Sequence, residues 1–352
     1  MAKKRPPLKG FDDLPYSAIV HLWDDTPGYV RKGAGRGFFY VDAEGQRVRN
    51  DRHLARFEAL AVPPAYRDVW LAPSANAHLQ ATGRDDRGRK QYRYHPVWQE
   101  HRNATKFEHL FEFGERLPAL RRRIARLLGQ HDQESSLGKS LVIAAAIRVI
   151  DLTGLRVGNA HYTRENETYG LTTLQQRHAE IDGNKVALEF VAKGGKNARV
   201  QFSSRKLAQV LAHCEELPGQ RLFQYRYEGQ DADPEQISST DINDFLKETI
   251  EAEWATAKTL RTWRGSVRAL ESLADQTPAK GERDRASQIV TAVKDVAEAL
   301  RNRPATCRKF YIHPQILQAF EDEYWPPPAV PENKPRELLM NEARLMAMLK
   351  ER

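Results

Sequence analysis

The spacing of apolar residues changes near residue 106 of the chain. Before it, short apolar runs such as residues 37–41 alternate with turn residues such as residues 42–45. Short runs bounded by turn residues are typical of strands in an antiparallel sheet. Pro63 and Pro64 also disfavour long helices in this part of the chain. The first 100 residues or so are therefore predicted to be β-rich.

Beyond residue 106, apolar residues recur at helical spacing. Residues 120–128 place leucines and an isoleucine beside a basic face, and residues 140–151 are apolar enough for a buried helix. Ser239, Thr240 and Asp241 offer an N-cap for a helix that begins near Ile242. Further helices are predicted over residues 207–211, 242–250, 260–273 and 289–300.

One hairpin interrupts the helical region. Residues 186–192 and 198–202 alternate in polarity on either side of Gly194 and Gly195, which is typical of a hairpin. Lys193 is then expected at the hairpin turn. The last segment is proline-rich from Trp325 to Pro335 and predicts a stiff linker into a short amphipathic helix over residues 338–349.

These patterns predict an α+β fold with a small N-terminal antiparallel β-rich domain and a larger, mostly α-helical domain that carries a β-hairpin. We expect domains at 1–103 and 104–322, followed by the linker and helix at 323–352. The two cysteines do not suggest a disulfide scaffold. The longest apolar run, residues 141–147, is far shorter than the roughly 20 residues that a membrane span needs. No membrane association and a cytoplasmic location are therefore expected.

Charge points to a polyanionic partner. Lysine and arginine total 55 against 47 acidic residues, which gives a net charge of +8. Between Arg84 and Arg93, five basic residues stand against two acidic ones, interleaved with glutamine and tyrosine. Such a pattern suits contacts to DNA phosphates and grooves. A solvated charged loop with strand aromatics behind it is the alternative.

Tyr311 is the strongest candidate for chemistry. It follows Arg308 and Lys309, whose positive field favours a phenolate. A tyrosinate is a competent nucleophile for phosphorus, and the resulting ester retains the energy needed to reseal a strand. For a tyrosine alone, a place in the core would be the better interpretation, so the surrounding motifs decide.

The chain carries, in order, Arg156, Lys193, Lys258-x-x-Arg261, Asn302 and Tyr311. Over roughly residues 35 to 315, this order closely resembles the compact type IB DNA topoisomerases of poxviruses and bacteria. The 37 residues from Arg156 to Lys193 and the nine from Asn302 to Tyr311 match the family spacing. The combination is specific, although each piece alone is weak.

The resemblance implies a role for each of these residues. Tyr311 would be the nucleophile, Arg156 and Arg261 would bind the scissile phosphate, and Lys193 would be the general acid for the 5′ oxygen. Guanidinium groups can meet phosphoryl oxygens bidentately as charge develops. Lys258, one helical turn before Arg261, would support a phosphate or DNA contact. A surface salt bridge, a helix-face charge and solvated lysines are the respective alternatives, and Lys196 competes with Lys193.

Asn302 stands where the poxvirus-type enzymes have a histidine, and resembles the bacterial branch. Its amide can donate a hydrogen bond but carries no charge, and a helix C-cap is the alternative. The DNA-binding residues are expected to be Arg84, Arg87, Arg89, Gln91, Tyr92, Tyr94 and, in the larger domain, Tyr162.

The implied activity is relaxation of supercoiled double-stranded DNA through a 3′-phosphotyrosyl intermediate, strand rotation and religation. A monomer would clamp the duplex and associate with the nucleoid. No cofactor is expected, since the sequence has neither a Walker-type loop nor a carboxylate cluster of the two-metal kind. The alternatives are a tyrosine recombinase, which typically carries His-x-x-Arg in place of Lys258-x-x-Arg261, and an inactive DNA-binding module.

Overall fold

A computed structural model describes residues 15–35, 37–86, 88–131, 137–160, 163, 167–227, 233–322 and 324–350. Its contacts divide the chain into two compact units, Met1–Phe107 and Glu108–Arg352. The functional domain limits expected from the sequence stay a prediction. Within the described ranges, every helix is too short or too polar to cross a membrane.

The first unit is built on a five-stranded antiparallel sheet, as predicted. The strand order is β2-β1-β3-β4-β5. The strands are β1 (Tyr29–Ala34), β2 (Gly37–Val41), β3 (Arg67–Leu71), β4 (Leu79–Arg84) and β5 (Lys90–Tyr94). Apolar residues of β3 and β4 form the core with Phe57 and Leu60.

Two helices of the first unit were not predicted. Helix α1 (Asp51–Ala59) begins at Asn50, whose side chain accepts from the N–H groups of Arg52 and His53. Its single apolar stripe is short, and the helix is stabilised by burying Phe57 against the sheet. Helix α2 (Pro96–Glu108) begins about ten residues before the expected change to helical structure. Pro96 accounts for this start, since proline is favoured in the first turn of a helix.

The second unit is mostly helical, and the predicted helices are confirmed, most of them longer than predicted; the helices Pro304–Phe310 and Pro314–Glu321 were not predicted. Helix α4, predicted over 140–151, is the most completely buried of them. The N-cap of α6 is Ser238, one residue before the predicted group, and Asp241 completes a capping box with it. The helices are α3 (Leu110–Gln130), α4 (Lys139–Thr153), α5 (Arg205–Glu216), α6 (Ser239–Ile250), α7 (Ala257–Ala274), α8 (Glu282–Ala299), α9 (Pro304–Phe310), α10 (Pro314–Glu321) and α11 (Met340–Lys350).

The predicted hairpin is confirmed. Strands β7 (Lys185–Ala192) and β8 (Lys196–Ser203) pair along their whole length up to Ala192 and Lys196. Both glycines of the turn have positive φ, 90° at Gly194 and 75° at Gly195, a region that favours glycine. Strand β6 (Ala179–Asp182) completes this sheet, and β9 (Gln224–Tyr225) pairs with β10 (Glu235–Gln236).

The C-terminal segment packs onto the helices of the second unit. The indole N–H of Trp325 donates to the carbonyl of Leu273 at the end of α7. Helix α11 contacts α7 and α3. The helix is at its predicted place, but its buried face includes the carboxylate of Glu342, so the expected division into an apolar and a polar face is incomplete.

Candidate active site

Tyr311 lies directly after α9 and against helix α7. Ser266 of α7 accepts from the His313 N–H at 2.9 Å and donates to the Tyr311 carbonyl at 3.4 Å. A Cβ on Gly265 would lie 2.5 Å from that carbonyl oxygen. Glycine at this position therefore lets the Tyr311 backbone approach the helix closely.

Arg261 lies one turn before Gly265 on the same helix. Its guanidinium carbon lies 5.3 Å from the centre of the Tyr311 ring, and its Nη2 donates to the Leu300 carbonyl at 3.2 Å. The residue is 4% exposed, and its Nε and Nη1 have no hydrogen-bond partner among the described residues. Burial lowers the pKa of Arg261 to about 10, Tyr311 opposes this, and the charge of Arg156 adds to it. The group is thus a buried cation at neutral pH with unused donors.

Arg156 reaches the same place from the end of α4. Gly154 ends that helix in the left-handed region, with φ 65°. The Leu171 N–H then donates to the Arg156 carbonyl at 2.8 Å, which fixes the backbone of Arg156 against residues 170–172. The Arg156 Nη1 donates to the Arg301 carbonyl at 2.9 Å. Consecutive carbonyls, of Leu300 and Arg301, therefore accept from the two arginines.

Leu300 and Arg301 form the C-terminal end of α8. A Cβ on Gly154 would lie 2.7 Å from Leu300 Cδ2, and one on Gly265 would lie 3.1 Å from its Cδ1. The Leu300 side chain thus sits in a space that two glycines leave open. Arg301 has φ 50° and takes the left-handed position that ends the helix.

Asn302 follows this helix end. Its N–H donates to the Ala297 carbonyl at 2.8 Å, and its side-chain oxygen accepts from the Arg303 N–H at 3.0 Å. Asn302 therefore has only part of the role that a helix C-cap would give it. The backbone of Asn302 takes part in the helix end, but the left-handed residue is Arg301. The half-exposed side chain contacts the following backbone instead.

Lys193 is exposed at the β7–β8 turn. A small cavity is bordered by Arg156, Lys193 and Arg261, together with residues that include Leu300 and Arg301. Lys258 is exposed on α7, and its backbone carbonyl accepts a hydrogen bond from the Thr262 hydroxyl. The structure thus brings three of the expected catalytic cations to one cavity, beside Tyr311.

The positive charge next to the Tyr311 ring differs in origin from the one expected. Arg308 and Lys309 are both exposed, and the Lys309 ammonium lies 5.4 Å from the Phe310 ring. Arg261, fifty residues earlier in the chain, is the cation over the Tyr311 ring. Tyr311 lies just beyond the helix that carries Arg308 and Lys309, with φ −135°, so helical spacing could not settle which cation faces its ring.

Comparison with known proteins identifies the family of this chain. Residues 95–325 match the family model described as "Eukaryotic DNA topoisomerase I, catalytic core", and residues 37–85 match "Bacterial DNA topoisomerase IB, N-terminal domain". The chain belongs to the type IB DNA topoisomerase family.

Named relatives agree with this assignment. The topoisomerase is 26% identical over 300 residues to DNA topoisomerase 1B of Acanthamoeba polyphaga mimivirus, covering 84% of this chain and 88% of that protein. It is 23% identical over 261 residues to DNA topoisomerase 1B of Vaccinia virus (strain Copenhagen), covering 73% and 77%. Among solved structures, a XerH site-specific recombinase bound to a palindromic difH substrate shows 15% identity over 54% of this chain and 47% of that one. The TM-score of this match is 0.32.

The expected DNA-binding residues of the first unit lie around β4 and β5 of the topoisomerase. Asp85 engages two of them, since Arg89 pairs with it at 2.6 Å and the Gln91 amide donates to it at 3.0 Å. Arg84 lies 3.8 Å from Asp68 and donates to the Gly88 carbonyl. The rings of Tyr92 and Tyr94 stack 6.1 Å apart, with Tyr92 exposed. Arg87 and Tyr162 lie outside the described residues.

Two residues that shape the site of the topoisomerase were missed in the sequence. Gly265 and Ser266 form a Gly-Ser pair inside a long helical pattern, which is a recognisable irregularity. What it does depends on Tyr311 packing against it. The residue that packs there is distant in the sequence, so the pair alone could not identify it.

Proposed function

We propose that this DNA topoisomerase cleaves one strand of duplex DNA with Tyr311, forms a 3′-phosphotyrosyl intermediate, and relaxes supercoils by strand rotation before religation. The observation that carries the proposal is the placement of Arg156 and Arg261. They are held by consecutive carbonyls, border one cavity with Lys193, and one of them lies over the Tyr311 ring.

In the cleavage step the Tyr311 hydroxyl gives its proton to solvent, its oxygen attacks phosphorus, and the bond from phosphorus to the 5′ oxygen breaks. The non-bridging oxygens gain charge in the transition state, and preorganised donors stabilise that charge. Arg261 suits this role because its Nε and Nη1 donors have no hydrogen-bond partner among the described residues and its cation is already desolvated. Arg156 acts as the second guanidinium.

Lys193, which is exposed at the hairpin turn, donates a proton to the departing 5′ oxygen. Religation is the reverse: the 5′ hydroxyl attacks the phosphotyrosine, loses its proton to Lys193, and releases Tyr311, whose oxygen regains a proton from solvent. Asn302 contributes a neutral hydrogen bond to the phosphate through its amide. Lys258, exposed on α7, makes a supporting DNA contact.

Duplex DNA is bound by the first unit through Arg84, Arg87, Arg89, Gln91, Tyr92 and Tyr94, and by the second through Tyr162. The exposed Tyr92 ring and the guanidinium groups near β4 and β5 support this assignment. The protein acts as a monomer in the cytoplasm and associates with the nucleoid. The reaction needs no cofactor, since arginines supply the charge that a metal would otherwise provide.

Plasmid relaxation tests the proposal. Wild-type protein should relax supercoils of either sign in EDTA without ATP, on a plasmid without paired recombination sites, and a denaturant should trap a covalent protein–DNA adduct. Tyr311→Phe should do neither, while retaining DNA binding. An absolute need for magnesium or ATP, or an adduct that survives in Tyr311→Phe, would contradict the mechanism.

A further inference from the structure

A buried ionic cluster lies behind the candidate active site and is centred on Arg121 of α3. Its guanidinium donates to both carboxylate oxygens of Asp151 on α4, at 3.0 and 2.8 Å. It also donates to both oxygens of Glu342 on α11, at 2.7 and 2.8 Å. The carboxylates of Asp151 and Glu342 are almost fully buried. We call Arg121, Asp151, Glu342 and Trp263 the Arg121 cluster.

Trp263 links the cluster to α7. Its indole N–H donates to the Glu342 carboxylate at 3.1 Å, and its side chain is 1% exposed. A Cβ on Gly114 of α3 would overlap both the Trp263 ring and the sulfur of Met346. Helices α3, α7 and α11 are thus packed around this ring without room for a side chain at position 114.

Each arginine of the candidate active site is close in sequence to a member of the cluster. Trp263 is two residues after Arg261, and at about 100° per residue the two point to nearly opposite sides of α7. Asp151 lies in the last turn of α4, from which Gly154 leads into Arg156. The cluster therefore packs on the side of α7 that is turned away from Arg261, and on the last turn of α4, which leads into Arg156.

The electrostatics favour one arrangement of these groups. Burial alone would raise the pKa of Asp151, but the Arg121 and Arg148 cations outweigh it and hold this pKa below its usual value. Burial would also lower the pKa of Arg121, but Glu342 and Asp151 raise it above its usual range. Removal of one member would leave a buried charge unpaired, which is strongly unfavourable.

From this geometry we infer that the Arg121 cluster, closed by Glu342 of the C-terminal helix, positions Arg156 and Arg261 for strand cleavage and religation. Its members are positioning residues, since none contacts the cavity. Helix α11 lies outside the residues matched by the catalytic-core family model. The inference rests on the proposed roles of Arg156 and Arg261, and gives α11 a part in the reaction.

The test uses the full chain and two conservative variants. Trp263→Phe removes the indole N–H but no charge, and Glu342→Gln keeps an acceptor for Trp263 but removes the charge that faces Arg121. Val210→Ala is the control, because Val210 is fully buried on α5, a helix that carries none of the candidate catalytic residues. Single-turnover cleavage and religation, the covalent fraction at equilibrium, DNA affinity and Tm are measured for each.

We expect Trp263→Phe to slow cleavage and religation by the same factor, about tenfold or more, since misplacement of a catalytic group by about 1 Å can cost 10²-fold. Groups that act in the transition state serve both directions, so the covalent fraction and the DNA affinity should stay near wild type. Glu342→Gln should be slowed at least as much as Trp263→Phe, because it removes the charge that faces the buried Arg121. Partial unfolding alone would instead lower the amount of protein that reacts and leave its rate unchanged.

Cleavage by both variants within twofold of wild type, measured well below Tm, would overturn the inference. The inference would also be overturned if Val210→Ala slowed cleavage equally while losing as much Tm as the cluster variants. Arg156→Ala and Arg261→Ala in the same assay separate this from the proposed function. If these two cleave at the wild-type rate, the assigned roles of the arginines fail; if they are slow and the cluster variants are not, only the inference fails.

Discussion

Gly265 and Tyr311 are packed so closely that a side chain on the glycine would collide with the backbone of the tyrosine. The Cβ position of residue 265 lies 2.5 Å from the Tyr311 carbonyl oxygen and 3.2 Å from the Tyr311 Cβ. Real Cβ atoms do not approach backbone this closely, so any larger residue must move one of the two segments. Gly265 therefore sets the distance between α7, which carries Arg261, and the proposed nucleophile.

Gly265→Ala should accordingly slow cleavage by about 10²-fold, since a displacement of about 1 Å suffices for such a loss. Quenched single-turnover cleavage of a suicide duplex measures the effect. Gly129→Ala is the matched control. Its Cβ would meet the flexible end of Lys206, so it should leave cleavage unchanged and add about 0.4–1 kcal/mol of stability. Wild-type cleavage by Gly265→Ala would show that the close approach is unimportant.

Arg261→Met should separate activity from stability. Cleavage should fall by at least about 10²–10³-fold, because a preorganised donor is lost. The free energy of unfolding should rise, by at most about 1–3 kcal/mol, because removal of a buried cation with two unpaired donors outweighs the lost bond to the Leu300 carbonyl. Arg121→Met is the contrast: its partners Asp151 and Glu342 would stay buried and charged, so it should destabilise by about 3–5 kcal/mol. Denaturant unfolding of both variants checks the prediction, and a less stable Arg261→Met would contradict it.

Lys193 can be tested through the leaving group. Lys193→Ala should cleave an ordinary duplex slowly, by about 10²–10⁴-fold, as expected for a lost general acid. A duplex with sulfur in place of the scissile 5′ oxygen should restore its rate, because a thiolate leaves without a proton. Lys196→Ala, a change at the first residue of β8, should behave like wild type on both substrates. If Lys196→Ala is the variant that cleaves the ordinary duplex slowly and regains its rate on the sulfur-containing duplex, Lys196 and not Lys193 is the general acid.

Asn302 should matter for chemistry more than for folding. Asn302→Ala should slow cleavage by about 10²–10³-fold with little loss of DNA affinity. Its stability should change little, since Arg301 provides the left-handed residue of the helix end. Asn302→His should retain substantial activity and add a titration near the ordinary histidine pKa of about 6.5. A normal cleavage rate together with a loss of about 1 kcal/mol in Asn302→Ala would instead indicate a cap.

Asp85 should restrain DNA binding by the first unit. It pairs with Arg89 and accepts from Gln91, two of the proposed DNA contacts. Asp85→Asn should strengthen binding and steepen its salt dependence, by about 0.9 in the log–log slope for each further phosphate neutralised. Ala at Arg84 and Arg89 should make the slope shallower. Filter binding across a salt series is the measurement, and unchanged slopes would place the DNA surface elsewhere.

The sequence by itself determined the elements and the candidate residues. Helix α4 and the β7–β8 hairpin were predictable because their apolar periodicity is strong and the glycine pair defines the turn. The order of Arg156, Lys193, Arg261, Asn302 and Tyr311 was sufficient to indicate the family, which the family match confirms. Helix α1 escaped prediction because its apolar stripe is short and is stabilised by packing against the sheet.

Only the tertiary structure decided how these residues meet. Arg156 and Arg261 are brought together by the carbonyls of Arg301 and Leu300, and backbone acceptors carry no sequence pattern of their own. The cation at the Tyr311 ring is Arg261, fifty residues away in the chain, and its buried Nε and Nη1 have no hydrogen-bond partner in the part of the chain that the structure describes. The role of Gly265 likewise depends on which segment packs against it. Distances of this kind arise from the packing of helices far apart in sequence, and local periodicity contains no information about them.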